Sequence, residues 1–173
     1  MKSPQGAGIR PTSDLVREAI FSMLESVAID WSRVLDLYAG TGALGIEALS
    51  RGAEWVDFVE KNPRMYNLIM ENLDRTGFKN QAKVYRVSAQ KALSFLEGAY
   101  GIILMDPPYN DPSIARVAEA LASSKLVGKE STIVIEHSRR TPLKERFGSF
   151  HQVRELHHGD TLVSVYQYTE GES

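Results

Sequence analysis

The 173-residue sequence contains no cysteine, so the chain can form neither disulfide bonds nor thiolate metal sites. It also lacks any apolar run near the roughly 18 residues that a membrane-spanning helix needs. The first eleven residues contain no apolar stretch of the kind found in secretory signals. These absences predict a cytoplasmic protein that binds neither a metal nor a membrane, and we expect it to be a monomer.

Positive charge is not in excess either. The 20 Lys and Arg residues are opposed by 22 Asp and Glu residues, which gives a formal net charge of −2. Proteins that bind nucleic acid through its phosphates usually present a basic face. Local patches matter more than the sum of charges, so this balance makes a nucleic-acid partner less expected without excluding one.

Strand-like and helix-like segments alternate through the middle of the chain. Apolar runs such as RVLDLYA (33–39) and GIILMDP (101–107) are typical of buried strands, and the segments between such runs have helical periodicity. This alternation predicts an α/β fold, with a parallel sheet and helices on both faces. Residues 150–168 instead resemble two strands joined by a turn, which predicts an antiparallel hairpin at one edge. The expected organisation is a flexible leader at 1–11, one domain at 12–168 and a frayed tail at 169–173.

A glycine-rich loop follows the first predicted strand. The segment DLYAGTGALG (36–45) places glycines at 40, 42 and 45, which is the G-x-G-x-x-G spacing of nucleotide-binding loops. We expect Gly40 to permit a tight turn, Gly42 to let the backbone approach a ligand, and Gly45 to let helix and strand pack closely. The spacing alone is a weak signal, because glycine-rich turns also occur without a ligand.

The second predicted strand ends in an acid, Glu60, twenty positions after Gly40. A carboxylate there can accept hydrogen bonds from both ribose hydroxyls of a nucleoside. A dinucleotide would also need a pyrophosphate site at the helix N-terminus. S-adenosylmethionine has no phosphate and presents an ammonium group, which suits Asp36 at the end of the first strand. The sequence therefore favours S-adenosylmethionine as the cofactor.

The fourth predicted strand stops at Asp106-Pro107-Pro108-Tyr109. Proline fixes φ and has no N–H, so this corner is rigid and cannot continue the strand. The ends of the fourth and first strands lie side by side in a doubly wound sheet, where ligands bind. Asp106 and the Pro107 carbonyl are therefore predicted to hold the two hydrogens of an exocyclic amine, while Tyr109 stacks on the base. This arrangement suits methylation of a planar, amide-like nitrogen.

Four segments resemble the bacterial small-subunit ribosomal RNA (guanine-N2-)-methyltransferase D family, in the same order. They are RPTSDLVREAIFSML, LDLYAGTGALGIEALSRGA, DPPY and the final GDTLVSVY. The resemblance covers nearly all of residues 9–168. It implies a single-domain, Rossmann-like class I methyltransferase whose seven-stranded sheet has its last strand antiparallel. It also implies guanine N2 of ribosomal RNA, naked or in a 30S particle, as the substrate.

The residue patterns and the resemblance together predict the site residues. The catalytic residues are Asp106, Pro107 and Tyr109. The cofactor-binding residues are Asp36, Ala39, Gly40, Thr41, Gly42, Glu60, Lys61, Ser88, Ala89 and Asp106. The substrate-binding residues are Arg10, Thr12, Pro108, Tyr109 and Arg139. Family members usually begin with a basic leader of roughly twenty residues, and we expect this sequence, which begins at MKSPQG, to be without it.

Other functions remain open at this point. The DPPY motif also occurs in adenine-N6 methyltransferases, so it does not identify the target base. A protein glutamine-amide methyltransferase would use the same chemistry. A nicotinamide-dependent oxidoreductase would explain the glycine loop but not DPPY. A non-catalytic RNA-binding module that retains the cofactor is a further alternative.

Overall fold

The structure, a computed structural model, describes residues 13–170. Its α-helices are α1 (Asp14–Val27), α2 (Ala43–Ser50), α3 (Pro63–Thr76), α4 (Ala89–Phe95) and α5 (Ile114–Ala122), and a short 3-10 helix spans Lys79–Gln81. The strands are β1 (Arg33–Leu37), β2 (Trp55–Val59), β3 (Ala82–Tyr85), β4 (Ile102–Met105), β5 (Thr132–Ser138), β6 (Arg146–Phe147), β7 (Phe150–His158) and β8 (Thr161–Tyr168).

All eight strands form one sheet in the order β3-β2-β1-β4-β5-β8-β7-β6. The first five strands in this order are parallel, and β8, β7 and β6 are antiparallel to their neighbours. The chain order reverses between β1 and β4, so their carboxyl ends flank the crevice in which α/β sheets bind ligands. The predicted fold class and the pairing of these two strand ends are therefore confirmed.

The strand count differs from the prediction of seven. The additional strand, β6, has only two residues and pairs with the start of β7 across Gly148 and Ser149. Two residues cannot show an alternating pattern, so periodicity could not indicate this strand. The predicted antiparallel hairpin is confirmed as β7–β8: β8 pairs with β5, β7 lies outside β8, and the short β6 forms the edge.

Two apolar clusters lie on the two faces of the sheet. Buried side chains of α1, α2 and α3 fill one face, and those of α4, α5 and the C-terminal strands fill the other. Helix ends follow the local sequence: Ser13 caps α1, Asn62 caps α3, and Gly77 ends α3 in the left-handed conformation. No helix within residues 13–170 combines the length and apolar character needed to cross a bilayer.

The contact between α2 and the sheet depends on Gly45. A Cβ atom built there would lie 2.3 Å from Phe58 Cε1 and 3.0 Å from Asp36 Oδ2. Phe58 is fully buried on β2, among the other side chains of this core cluster. The predicted role of Gly45 in close helix–strand packing agrees with this geometry.

We expect Gly45→Ala to lower the free energy of unfolding by about 1–3 kcal/mol, because the added methyl group overpacks the core against Phe58. Chemical denaturation measures the effect. Gly128→Ala is the matched control, since its Cβ would meet only Ala99 Cβ at 4.0 Å. The packing argument fails if the two variants unfold at the same denaturant concentration.

Candidate active site

A cleft of about 410 Å³ opens at the carboxyl ends of β1, β2 and β4 and the neighbouring end of β3. Its lining comes from the loops that follow these four strands. The lining residues are Tyr38, Gly40, Val59, Glu60, Lys61, Asn62, Met65, Val87, Ser88, Ala89, Gln90, Asp106, Pro107, Pro108, Tyr109, Asp111 and Ser113.

The glycine loop approaches the cleft at Gly40. Gly40 has φ +58°, and a Cβ atom there would have no atom within 4 Å. Gly42 instead caps α2 with φ +83°, and its Cβ would lie 3.3 Å from Ile69. Gly42 therefore faces the core, and Gly40 is the glycine of this loop that lines the cleft.

Two other predicted residues of the glycine loop face the protein interior. Ala39 and Thr41 are buried and do not line the cleft. The Thr41 carbonyl accepts a hydrogen bond of 3.0 Å from Nδ2 of Asn72, a fully buried residue of α3. Asn72 was not predicted, because a lone amide in a helix gives no sequence signal for a contact across 31 positions.

Glu60 connects two of the loops that line the cleft. Its Oε1 atom accepts from Gly40 N at 2.9 Å, and its Oε2 atom accepts from Asn62 N at 2.9 Å. Each carboxylate oxygen can accept a second hydrogen bond. Glu60 therefore fixes the glycine loop relative to the start of α3 and keeps acceptor capacity towards the cleft.

Asp36 lies beneath the glycine loop, with only 1% of its surface exposed. Its Oδ2 atom accepts from Gly45 N at 3.0 Å, and its Oδ1 atom is buried with no hydrogen-bond partner among residues 13–170. Burial raises the pKa of Asp36 well above its usual range; the Gly45 N–H opposes this shift, and the charges of Asp106 and Glu60 reinforce it. Asp36 does not line the cleft, so its first role is to hold the turn into α2.

The rim from β3 supplies Ser88, Ala89 and Gln90. Ser88 caps α4, and its Oγ atom accepts from Lys91 N at 3.1 Å. On the opposite rim, Asp106, Pro107, Pro108 and Tyr109 follow β4 directly. The predicted rigid corner therefore faces the glycine loop and Glu60 across one cleft.

Tyr109 is 46% exposed, and its hydroxyl accepts a 3.1 Å hydrogen bond from Ser138 Oγ at the end of β5. The corner continues into a turn in which Asp111 Oδ1 accepts from the backbone and hydroxyl of Ser113. Asp111 and Ser113 line the cleft but were not predicted, because acids and serines near proline are ordinary turn residues.

Tyr38 is a further cleft residue that sequence reasoning missed. It has φ +58° without being glycine, a conformation that the sequence does not reveal. Burial and the nearby charge of Asp111 raise the pKa of Tyr38 to about 12, and Ser113 opposes this shift. Its ring therefore lies between the glycine loop and the turn that follows Tyr109.

The family model described as "Conserved hypothetical protein 95" matches residues 1–167. The chain belongs to this family. The predicted resemblance to the methyltransferase D family is also confirmed, because the Escherichia coli "Ribosomal RNA small subunit methyltransferase D" is 30% identical over 171 residues, 98% of this chain and 85% of that protein.

Two further relatives support this assignment. The Bacillus subtilis protein named "Putative rRNA methyltransferase YlbH" is 35% identical over 170 residues, 96% of this chain and 92% of that protein. A solved structure of a conserved hypothetical protein from Streptococcus pyogenes superimposes with a TM-score of 0.83 at 32% identity. That match covers 91% of this chain and 98% of the other.

Three of the predicted substrate-binding residues are not among the described residues that line the cleft. Arg10 and Thr12 are outside the described residues. Arg139 is exposed but does not line the cleft; its Nη2 atom lies 3.2 Å from His157 Nδ1 beside the β7–β8 turn. Within residues 13–170, no group of three or more His, Asp or Glu side chains is placed to hold a metal ion.

We expect the stability difference between the wild type and Asp36→Asn to depend on pH. The folded state retains the Asp36 proton above about pH 4, the usual pKa in an unfolded chain. The wild type should therefore lose stability relative to Asp36→Asn as pH rises from about 4 through the raised pKa of Asp36. The steepest slope is about 1.4 kcal/mol per pH unit.

Denaturant unfolding at several pH values measures this difference. Asp74→Asn, an exposed acid of α3, is the control and should show no such trend. A constant difference between the wild type and Asp36→Asn across pH would contradict the raised pKa.

Proposed function

We propose that this chain transfers a methyl group from S-adenosyl-L-methionine to the exocyclic N2 amine of a guanine in small-subunit (16S) ribosomal RNA. The observation that supports this most directly is that one cleft joins Gly40 and Glu60 to the Asp106–Tyr109 corner. Relatives that share 30% or more of the sequence are named as ribosomal RNA methyltransferases.

The groups around the cleft suit a cationic cofactor. Asp36, Glu60 and Asp106 are close enough for the charges of Glu60 and Asp106 to raise the pKa of Asp36. A sulfonium and an ammonium group would relieve this repulsion among carboxylates. Gly40 supplies a surface that a Cβ atom would otherwise fill, so the ribose and its substituents can lie against backbone.

A dinucleotide fits the same groups poorly. Pyrophosphate is usually held by free N–H groups at the N-terminus of the helix after the glycine loop. Here Gly45 N in the first turn of α2 already donates to Asp36, so this N–H is not free for a phosphate. This arrangement favours S-adenosyl-L-methionine over a nicotinamide cofactor.

The bound cofactor would supply an electrophilic methyl group. The chain's contribution is to hold the acceptor amine. The Asp106 carboxylate and the Pro107 carbonyl would accept its two hydrogens, which turns the nitrogen lone pair away from the conjugated ring. Pro107 is buried, whereas Pro108 and Tyr109 are exposed, so the corner is anchored beneath and offers an aromatic face above. Positioning and electrostatic preorganisation would provide most of the rate.

The direct experiment incubates the protein with S-adenosyl-L-methionine and undermodified 16S ribosomal RNA or 30S particles. Mass spectrometry of the digested nucleosides identifies the product. N2-methylguanosine supports the proposal. N6-methyladenosine would instead indicate an adenine-N6 methyltransferase, and a methylated protein glutamine would indicate a glutamine-amide methyltransferase. Cofactor binding without transfer would indicate a non-catalytic module.

We expect Asp106→Asn to reduce the rate of methyl transfer by about a hundredfold, because it replaces one preorganised acceptor with an amide. The dissociation constant for the cofactor should change far less, since the carboxylate acts on the amine. Single-turnover transfer and calorimetric titration separate the two effects. Turnover equal to that of the wild type would exclude Asp106 from the mechanism.

We expect Glu60→Gln to weaken cofactor binding by about 1.5–3 kcal/mol, the range for hydrogen bonds to a charged group. The amide can accept from only one of Gly40 N and Asn62 N, and its NH₂ group would face the other N–H donor. Calorimetric titration measures the change. Glu54→Gln, at the opposite end of β2 and exposed, is the control and should bind normally. Equal affinities of Glu60→Gln and the wild type would exclude the Glu60 carboxylate from cofactor binding.

A further inference from the structure

The end of β5 makes a direct hydrogen bond to the corner that would bind the target base. Ser138 is the last residue of this strand and only 3% of its surface is exposed. Its Oγ atom donates to the Tyr109 hydroxyl at 3.1 Å. A buried side chain therefore holds the tip of an aromatic ring that is itself 46% exposed.

Ser138 has little freedom to move. Its Oγ atom also accepts from Arg140 N at 3.1 Å, so the hydroxyl hydrogen is left for Tyr109. Its carbonyl accepts from Thr141 N at 3.0 Å. Ser138 also pairs with Thr161 of β8, so the antiparallel strand fixes the backbone on one side.

The preceding residue makes this end of β5 more rigid. His137 is 6% exposed, and its Nδ1 atom lies 2.8 Å from the Thr141 carbonyl oxygen. Because a carbonyl only accepts, Nδ1 carries the hydrogen. The Nε2 atom lies 2.8 Å from Ser164 Oγ on β8. The end of β5 that contacts Tyr109 is thus hydrogen-bonded to two neighbouring segments.

From these contacts we infer that Ser138 is a positioning residue, which fixes the Tyr109 ring in the orientation that stacks on the target base. The inference rests on the proposed function and extends it to a strand that contributes nothing to the cofactor cleft. An exposed aromatic ring without this bond would have to be ordered each time a base binds. The bond orders the ring beforehand.

The test compares Ser138→Ala, Tyr109→Phe and the double variant. Each single variant removes the same hydrogen bond, and Tyr109→Phe keeps the ring and the Ser138–Arg140 contact. We expect each to lower kcat/KM for the RNA substrate about fivefold, mainly through a higher KM for RNA. The double variant should be no worse than either single one, and the dissociation constant for S-adenosyl-L-methionine should not change.

Ser131→Ala is the matched control. Ser131 is also 3% exposed, lies just before the opposite end of β5 and donates to the Tyr100 carbonyl at 2.6 Å. Its loss should lower the unfolding midpoint without changing the KM for RNA. An equal rise of that KM in Ser131→Ala would mean that any damage to β5 has this effect, which overturns the inference.

Two other outcomes also decide the matter. If Ser138→Ala lowers kcat/KM as much in the Tyr109→Phe background as in the wild type, Ser138 does not act through Tyr109, and the inference fails. If the wild type transfers no methyl group to RNA, the proposed function fails first. In that case the non-additivity of the two substitutions in thermal unfolding midpoints still tests whether the hydrogen bond forms.

Discussion

The hydrogen bond from Gly45 N to Asp36 Oδ2 determines how the chain leaves β1 and enters α2. It can form only because Gly45 has no side chain between Phe58 and the Asp36 carboxylate. The turn between these residues has to be tight, and Tyr38, Gly40 and Gly42 all adopt positive φ within it. The exposed surface of Gly40, and therefore the floor of the cleft, depends on this buried contact.

Glu60, at the end of the neighbouring strand β2, also holds the glycine loop through hydrogen bonds to backbone N–H groups. Its two oxygens accept from backbone N–H groups of the glycine loop and of the segment that begins α3. Glu60 and Asp106 place two carboxyl groups on the lining of the cleft, which favours a cationic ligand over a phosphate.

Sequence patterns predicted those parts of the molecule that depend on local chemistry. The alternation of strands and helices indicated the fold correctly, and Gly40, Glu60 and the proline corner lie together at one cleft. Strand β6 was missed because two residues form no pattern, and Tyr38 was missed because its positive φ depends on the surrounding packing. Asn72 and Ser138 were missed for a related reason: their partners lie 31 and 29 positions away, and no sequence pattern records such contacts.

The charge balance can be reconciled with an RNA substrate by the distribution of the arginines. Arg51 binds Glu47, Glu25 and Glu18, and these contacts raise its pKa above the usual value. Arg17 pairs with Asp14 and Glu47, so its charge is also balanced by acids of its own chain.

Other arginines are not occupied in this way. Within residues 13–170 the guanidinium groups of Arg116 and Arg140 form no ion pair, and both residues are exposed. Lys61 also lines the cleft. A net charge of −2 therefore includes cations that stabilise the fold and others that remain available for phosphate. The location of these unpaired cations is therefore more relevant to RNA binding than the net charge is.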